Sequence, residues 1–107
     1  MKEKVLSWLD RLEDRTDLHL LIPPYQTFVS IEWDEEKISF VLAKDQCKKI
    51  ESEIEPDVAL RGNPQSIQKL LAGTEMLQNL YKQKEISIKG KYRTVLLLES
   101  LCWLNKS

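Results

Sequence analysis

The sequence predicts an α+β fold, in which strands and helices form separate layers around one core. Over much of the region 28–61, apolar residues alternate with polar ones, and this period of two is typical of strands. Before and after that region, most apolar residues recur every three to four positions, as they do in helices. Strands that come as a group before most of the helices favour an α+β fold over a repeating strand–helix–strand sheet.

The first predicted element is an amphipathic helix. Its apolar residues recur at helical spacing, and charged residues occupy the other side. We expect this helical region to end before the pair Pro23-Pro24. The apolar residues of the helix are Val5, Leu6, Trp8, Leu9 and Leu12.

Four strands are predicted after the two prolines. The first two form a hairpin around the polar turn 34–37, and one face of this hairpin is expected to be buried. Gln46–Ile54 is mostly polar, so we expect an edge strand with Ile50 and Ile54 pointing inward. The segment 58–61 is a short fourth strand. The buried face of the hairpin consists of Val29, Ile31, Trp33, Ile38, Phe40 and Leu42.

Two short helices are predicted beyond residue 62, where the period changes to about 3.6 residues. Asn63 is a favourable N-cap, Pro64 suits the first helical position, and Gly73 can end the helix in a left-handed conformation. Thr74 is expected to cap the second helix. The inner faces are formed by Ile67, Leu70 and Leu71 in the first helix and by Met76, Leu77, Leu80 and Tyr81 in the second.

A fifth strand and an unusual last helix complete the chain. Ile86 and Ile88 predict a short strand that is closed by Gly90. In the segment Lys91–Leu104, nine of fourteen residues are apolar, which is far more than the single stripe of an ordinary surface helix. Such a helix needs to be covered by its own domain, by a partner chain or by a ligand. Together with the neighbouring short helix it is suited to wall an apolar cavity.

Composition and charge exclude several classes of function. The 16 Lys and Arg residues balance 17 Asp and Glu residues, so a strongly basic nucleic-acid-binding protein is not expected. Two cysteines are too few for a disulfide framework or a cysteine-rich zinc site. We therefore expect no metal and no cofactor. With 107 residues and no evident targeting signal or membrane span, the chain is expected to be one cytoplasmic domain, residues 1–107.

The sequence offers little support for catalysis. His19 lies among leucines without an evident partner, which favours a structural role. Lys48 is placed to lower the pKa of Cys47, but an ordinary strand cysteine is the preferred interpretation. Cys102 lies in the apolar last helix, and the carboxylates of 34–36 fit a solvated turn. We therefore predict that the protein is not an enzyme.

Charge is unevenly distributed along the chain. Residues 1–36 carry a net charge of −5 and residues 37–107 a net charge of +4. A solvated face is the simplest interpretation of the most basic stretch, and contact with an anionic membrane surface or headgroup is the functional alternative. Nucleic acid is less favoured, because only Tyr92 interleaves these charges. The basic residues are Lys82, Lys84, Lys89, Lys91 and Arg93.

The second half of the chain resembles the sterol carrier protein 2 (SCP-2), or non-specific lipid transfer, family. The resemblance rests on the strand segment Pro56–Gly62, the helix that ends at Gly73, and the Ile-Ser-Ile-Lys-Gly strand Ile86–Gly90 before a closing apolar helix. It covers about residues 56–104, and the earlier residues agree in the order of elements. Lys84 stands where the family commonly has glycine, and Lys91 where it commonly has Asn or Asp.

The resemblance implies a five-stranded, mainly antiparallel sheet, covered by helices over one face and enclosing a tunnel. The implied function is non-enzymatic binding or transfer of an apolar ligand such as a fatty acyl chain or a sterol. The alternative is a protein interaction or dimerisation module that uses the apolar last helix, with a homodimer as a possible assembly. By matched position, the tunnel would be lined by Leu70, Leu71, Met76, Leu77, Leu80, Ile86, Ile88, Leu96, Leu97 and Leu101.

Overall fold

The computed structural model describes residues 1–106 and confirms the α+β class. Within these residues the helices are α1 (Lys2–Asp14), α2 (Thr16–His19), α3 (Pro64–Ala72), α4 (Leu77–Lys82) and α5 (Tyr92–Leu104). The strands are β1 (Thr27–Trp33), β2 (Glu36–Ala43), β3 (Gln46–Ile50), β4 (Val58–Gly62) and β5 (Ile86–Gly90). None of these helices is long and apolar enough to cross a membrane.

The five strands form one sheet in the order β3-β2-β1-β4-β5. Every neighbouring pair is antiparallel except β1 and β4, which are parallel. One row of paired residues across four strands shows the register. Ile31 of β1 pairs with Ile38 of β2 and with Leu60 of β4, and Leu60 pairs in turn with Ile88 of β5. This row belongs to the helix-covered face. The sheet is therefore mainly antiparallel, as the resemblance implies.

The core lies between this face and the helices. Trp8 of α1 and Phe40 of β2 are fully buried, and their ring centroids are 5.8 Å apart in a tilted arrangement. α1 packs over β3 and α3, whereas α5 packs on α3 and β5. All six residues that were predicted for the inner face of the hairpin are buried. The alternation in the sequence thus identified the face that the helices cover.

The strand register brings several chain segments together at one end of the sheet, which we call the Gly90 end. Thr27 pairs with Leu42, and Val58 pairs with Gly90, so the starts of β1 and β4 lie beside the ends of β2 and β5. The connection 20–26 and the beginning of α5 meet here as well. The start of α3 lies at the opposite end, where Gly62 pairs with Ile86.

The structure corrects the end of β3. β3 and β4 point the same way on opposite sides of the β1–β2 pair, so the connection 51–57 has to cross that pair. Glu55 and Pro56 line a groove with Ser30 on the face without helices, which places the crossing there. β3 consequently ends at Ile50, and Ile54 is 37% exposed. The predicted inward position of Ile54 is wrong.

The caps of α3 are confirmed, and the cap of α4 is corrected. The Asn63 side chain accepts a hydrogen bond of 2.8 Å from the Ser66 amide, and Gly73 ends α3 with φ of 73°. Thr74 does not cap α4, because its hydroxyl donates to the carbonyl of Lys69 at the end of α3. The N-cap position of α4 is Met76, which provides no side-chain hydrogen bond.

Candidate functional site

α5 is the element around which the candidate site is built. It begins at Tyr92, two residues after Gly90, whose backbone lies so close to the start of β4 that a Cβ atom would clash with the Asp57 carbonyl oxygen. Lys91 occupies the N-cap position and makes no side-chain hydrogen bond to the helix. A side-chain cap typically contributes about 1 kcal/mol, so the first turn of α5 lacks a common source of stability.

The ten predicted ligand-binding residues fall into two groups. Six are at most 4% exposed and belong to the packed core between the helices and the sheet: Leu70, Leu71, Leu77, Leu80, Ile86 and Leu101. The other four are half-buried at the margin of that layer: Met76, Ile88, Leu96 and Leu97. The structure therefore packs Ile88 and Leu97 against the six core residues and leaves all four half-buried residues partly open to solvent, and Met76 and Leu96 are not among the residues packed on this core.

A first cleft separates α5 from the connection 20–26, and we call it the loop-side cleft. Its volume is about 300 Å³. Its apolar end is formed by Leu21, Pro23 and Leu97. A groove of about 440 Å³ continues from it past Arg93 to Lys91. The combined groove is thus apolar at one end and basic at the other, which suits an amphiphilic molecule.

A second cleft lies on the other side of the same turns of α5, and we call it the α4-side cleft. Its volume is about 380 Å³. Val95 of α5 and Ile88 of β5 contribute apolar surface, and Tyr81 and Tyr92 stand at its rim. Lys82 and Gln78 also line it. Both clefts are at the small end of the volume range of ligand sites, about 300–1,000 Å³.

Wider grooves elsewhere are less suited to an apolar ligand. A groove of about 700 Å³ on the open face of the sheet is lined by charged side chains such as Glu32, Lys37 and Lys89. Another of about 480 Å³, between α1 and α3, contains Glu3 and Arg11. Because both grooves are lined by several charged side chains of both signs, the clefts beside α5 are the better candidates.

A buried carboxylate links α5 to α4. Glu99 is 6% exposed, and its two oxygens accept hydrogen bonds from the Gln78 backbone amide at 2.7 Å and the Gln78 side-chain amide at 3.1 Å. Glu99 therefore provides the hydrogen-bond acceptor for a backbone amide in the first turn of α4, where the N-cap residue provides none. Sequence reasoning missed this role, although a lone carboxylate within the apolar run 95–104 was a signal.

The predicted basic cluster is divided between several surfaces. Lys91 and Arg93 line the groove that continues the loop-side cleft, and Lys82 lines the α4-side cleft. Lys89 faces the groove on the open side of the sheet. Lys84 stands just before β5, at the end opposite to Gly90. Arg93 thus shares the loop-side cleft with apolar residues, and Lys82 shares the α4-side cleft with others. Lys91 adjoins the loop-side cleft through the groove that continues it.

Of the three residues considered for catalysis, His19 and Cys47 donate hydrogen bonds to backbone carbonyls, and Cys102 is buried. His19 Nε2 donates to the Leu12 carbonyl over 2.8 Å. The Cys47 thiol donates to the Ala43 carbonyl at 3.7 Å, and burial raises the pKa of Cys47 to about 11. Burial, and then the charge of Glu99, also raise the pKa of Cys102. Because the thiolate is the reactive form, both thiols are protonated and unreactive as nucleophiles at neutral pH.

Residues 1–106 contain no group of His, Cys, Asp and Glu side chains that is arranged to hold a metal ion. The described side chains of the clefts are instead apolar, amide, hydroxyl or basic, apart from Asp57 in the groove beside Lys91. Asp57 is engaged with the backbone, since its carboxylate accepts from the Phe28 amide at 2.8 Å. The arrangement is suited to hold an apolar molecule with a polar or anionic end.

Comparisons with known proteins gave matches of two kinds, one to a family model and one to solved structures. The model of the SCP-2 sterol transfer family matches residues 24–102. No curated protein matches the chain significantly by sequence.

Several solved structures share the fold at low sequence identity. A "UbiJ-SCP2 ubiquinone synthesis protein" has a TM-score of 0.75 at 16% identity, covering 95% of this chain and 92% of that one. The sterol carrier protein domain 2 of Helicoverpa armigera has a TM-score of 0.64 at 18% identity, covering 95% and 87%. The sec-alkylsulfatase Pisa1 from Pseudomonas sp. has a TM-score of 0.67 at 14% identity, covering 86% of this chain and 14% of the sulfatase.

Proposed function

Because this chain belongs to the SCP-2 sterol transfer family, we propose that it binds and transfers an apolar ligand without catalysing a reaction on it. The ligand class is a fatty acyl chain, a sterol or a related lipid. Two clefts with apolar side chains, on either side of the same turns of α5, support this function most directly.

We place the ligand in the layer between α5 and the sheet. Leu97 lines the loop-side cleft, and Val95 lines the α4-side cleft, so the first turns of one helix separate the two. These turns lack a side-chain cap at Lys91. An outward shift of the beginning of α5 would join the clefts into one apolar cavity across the helix-covered face. The buried Glu99–Gln78 link would hold the later turns in place during that shift.

Binding would come mainly from removal of apolar surface from water. Each buried methylene group contributes about 0.8 kcal/mol, before the cost of ordering the chain is subtracted. The aliphatic side chains of the clefts make no directed hydrogen bonds to a ligand, so along its apolar part the protein would discriminate ligands by size more than by functional group. Lys91 and Arg93 would hold an anionic headgroup at the basic end of the groove.

The similarity to a ubiquinone synthesis protein adds one class of probe. A ring that carries a long isoprenoid tail is an apolar ligand of the proposed type, so ubiquinone should be assayed beside fatty acids and sterols. The alternative function is an interaction or dimerisation module. The exposed residues Trp103 and Leu104 at the end of α5 favour it, being 39% and 45% exposed.

A charge in the loop-side cleft tests the site. Leu97→Asp should weaken saturable uptake of a fluorescent fatty acid at least tenfold, because an unpaired carboxylate in an apolar pocket costs several kcal/mol. Fluorescence titration measures the affinity, and circular dichroism checks that the helices persist.

The matched control is Ser100→Asp, which adds the same charge at an exposed position of the same helix. It should bind like the unchanged protein. Equal affinity of the Leu97→Asp and Ser100→Asp variants would exclude this cleft as the ligand site. Absence of saturable uptake of any fatty acid, sterol or ubiquinone by the unchanged protein would refute the proposed function itself.

A further inference from the structure

Exposed apolar side chains cluster in the connection between α2 and β1. Leu20 is 81% exposed, Leu21 is 48% exposed, and Tyr25 is 54% exposed. A single exposed leucine is ordinary, but neighbouring exposed apolar side chains mark contact surfaces. The pair Pro23-Pro24 lies between them and restricts the backbone of the connection.

α5 extends this apolar surface. Leu97 lines the loop-side cleft together with Leu21. Leu104 follows seven residues later, so it lies on the same side of the helix, and it is 45% exposed. We call the set Leu20, Leu21, Tyr25, Leu97 and Leu104 the leucine rim.

Basic side chains surround the leucine rim. Lys44 Nζ donates to the carbonyl of His19, directly before Leu20, at 3.4 Å. Arg15 Nη1 donates to the carbonyl of Leu104, also at 3.4 Å. Arg93 precedes Leu97 by one turn and lines the same cleft. The rim is therefore bordered by basic side chains from two connections and from α5.

Acidic side chains beside the rim offset part of this charge. Asp17 is paired with Arg15 at 3.1 Å, and Asp45 is the neighbour of Lys44 along the chain. Arg93 makes no salt bridge within residues 1–106, and neither does Lys91 nearby. The apolar rim thus has positive charge without a salt bridge to the described residues at one end, at Arg93 and Lys91, and this complements a surface that is apolar below an anionic layer.

We infer that the leucine rim docks on an anionic lipid bilayer, with Leu20 and Leu21 inserted between the headgroups. Tyrosine is favoured at the level of the membrane interface, which fits Tyr25 at the base of the connection. Each basic residue near an anionic bilayer surface adds attraction that salt screens. The inference deepens the proposed function and rests on it, since the loop-side cleft opens between Leu21 and Leu97. A lipid would pass from the bilayer into the cleft without crossing water.

Site-specific labelling tests the insertion. Cys47 and Cys102 are 3% and 1% exposed, so an environment-sensitive fluorophore should react only with an introduced cysteine. With vesicles of phosphatidylcholine and phosphatidylserine, a label on Leu20→Cys should shift to shorter wavelength and be quenched by chain-labelled nitroxide lipids. With phosphatidylcholine alone, or at high salt, both effects should be much smaller. A label on Gln65→Cys, at the opposite end of the sheet, should change little.

Variants of the rim provide the second measurement. Leu20→Ser combined with Leu104→Ser changes two exposed rim residues that do not line the loop-side cleft, and it should reduce co-sedimentation with the anionic vesicles about tenfold or more. The control Ile54→Ser removes an exposed apolar side chain from the open face of the sheet and should leave partition unchanged.

The outcomes separate the inference from the proposed function. Lost partition with retained uptake of a fluorescent fatty acid from solution supports docking through the rim. Unchanged partition, no vesicle binding by the unchanged protein, or loss of a concentration-dependent dimer in the double variant would overturn the inference. Absence of fatty acid, sterol and ubiquinone uptake by the unchanged protein would overturn the proposed function, whatever the vesicles show.

Discussion

Burial sets the protonation of Cys47 and Cys102. In the folded chain the pKa of Cys47 is raised from 9.0 to about 11, mainly because burial disfavours the thiolate. Above pH 9 an unfolded thiol releases its proton while folded Cys47 retains it, so this thiol contributes stability below pH 9 that is lost as the pH rises towards 11.

Cys47→Ala should therefore flatten the loss of stability at alkaline pH. The slope of unfolding free energy against pH should become shallower by up to about 1.4 kcal/mol per pH unit, as urea titrations across this range would show. Cys102 still contributes in the variant, so some slope remains. Identical slopes for the variant and the unchanged protein would mean that Cys47 is not protected by burial.

Lys84 has a backbone conformation that lysine disfavours. Its φ is 62°, in the left-handed region, where a side chain with a Cβ costs about 1 kcal/mol or more. Lys84→Gly should raise the free energy of unfolding by up to about 1 kcal/mol, since the relief of strain exceeds the extra entropy of an unfolded glycine. Lys84→Ala removes the same charge but keeps the Cβ, so it should give no such gain. A Lys84→Gly variant that is less stable than Lys84→Ala would contradict this.

Residue-scale signals were reliable where the deciding chemistry is local. The cap at Asn63, the proline at position 64 and the left-handed stop at Gly73 all depend on residues within one turn, and the structure contains each of them. The sequence shows lysine at position 84, where the family commonly has glycine, but it does not show that the φ of Lys84 is positive. Its cause lies in the tight connection between α4 and β5.

At the scale of elements, the sequence located each strand and α5, and it failed where distant contacts decide. The end of β3 is fixed by the crossing of 51–57 over the open face, which the strand order requires. The start of α4 is fixed by Glu99, which accepts a hydrogen bond from the backbone amide of Gln78, twenty-one residues away along the chain. No pattern within either segment contains that information.

The link between α4 and α5 makes Glu99 a stabilising residue. Glu99→Ala removes the acceptor of two hydrogen bonds from Gln78, so the free energy of unfolding should fall by about 2–3 kcal/mol. Glu99→Gln keeps the shape and one acceptor oxygen, and its loss should be smaller. Urea denaturation measures both.

The control is Glu75→Ala, which removes an exposed partner of Asn79 just before α4. It should change stability by less than about 0.5 kcal/mol. Equal losses for Glu75→Ala and Glu99→Ala would show that the buried carboxylate does not hold the two helices together.

At the scale of the molecule, the family resemblance implied the mainly antiparallel sheet, which the structure confirms. Strand order and the parallel pairing of β1 with β4 could not be derived from the alternation pattern, because any strand with one apolar face fits several positions in a sheet. The same limit applies to the site. The sequence selected α5 by its apolar content, but the two clefts arise from the packing of the connection 20–26 and of α4 against it.

Native mass spectrometry of the purified chain tests the central claim most directly. The protein should carry one lipid per chain, and after extraction it should take up one equivalent of a fatty acid, sterol or ubiquinone in a saturable manner. The bound mass identifies the ligand class. A chain that is free of lipid, takes up none of these probes and forms a ligand-free dimer would contradict lipid carriage and favour the interaction module.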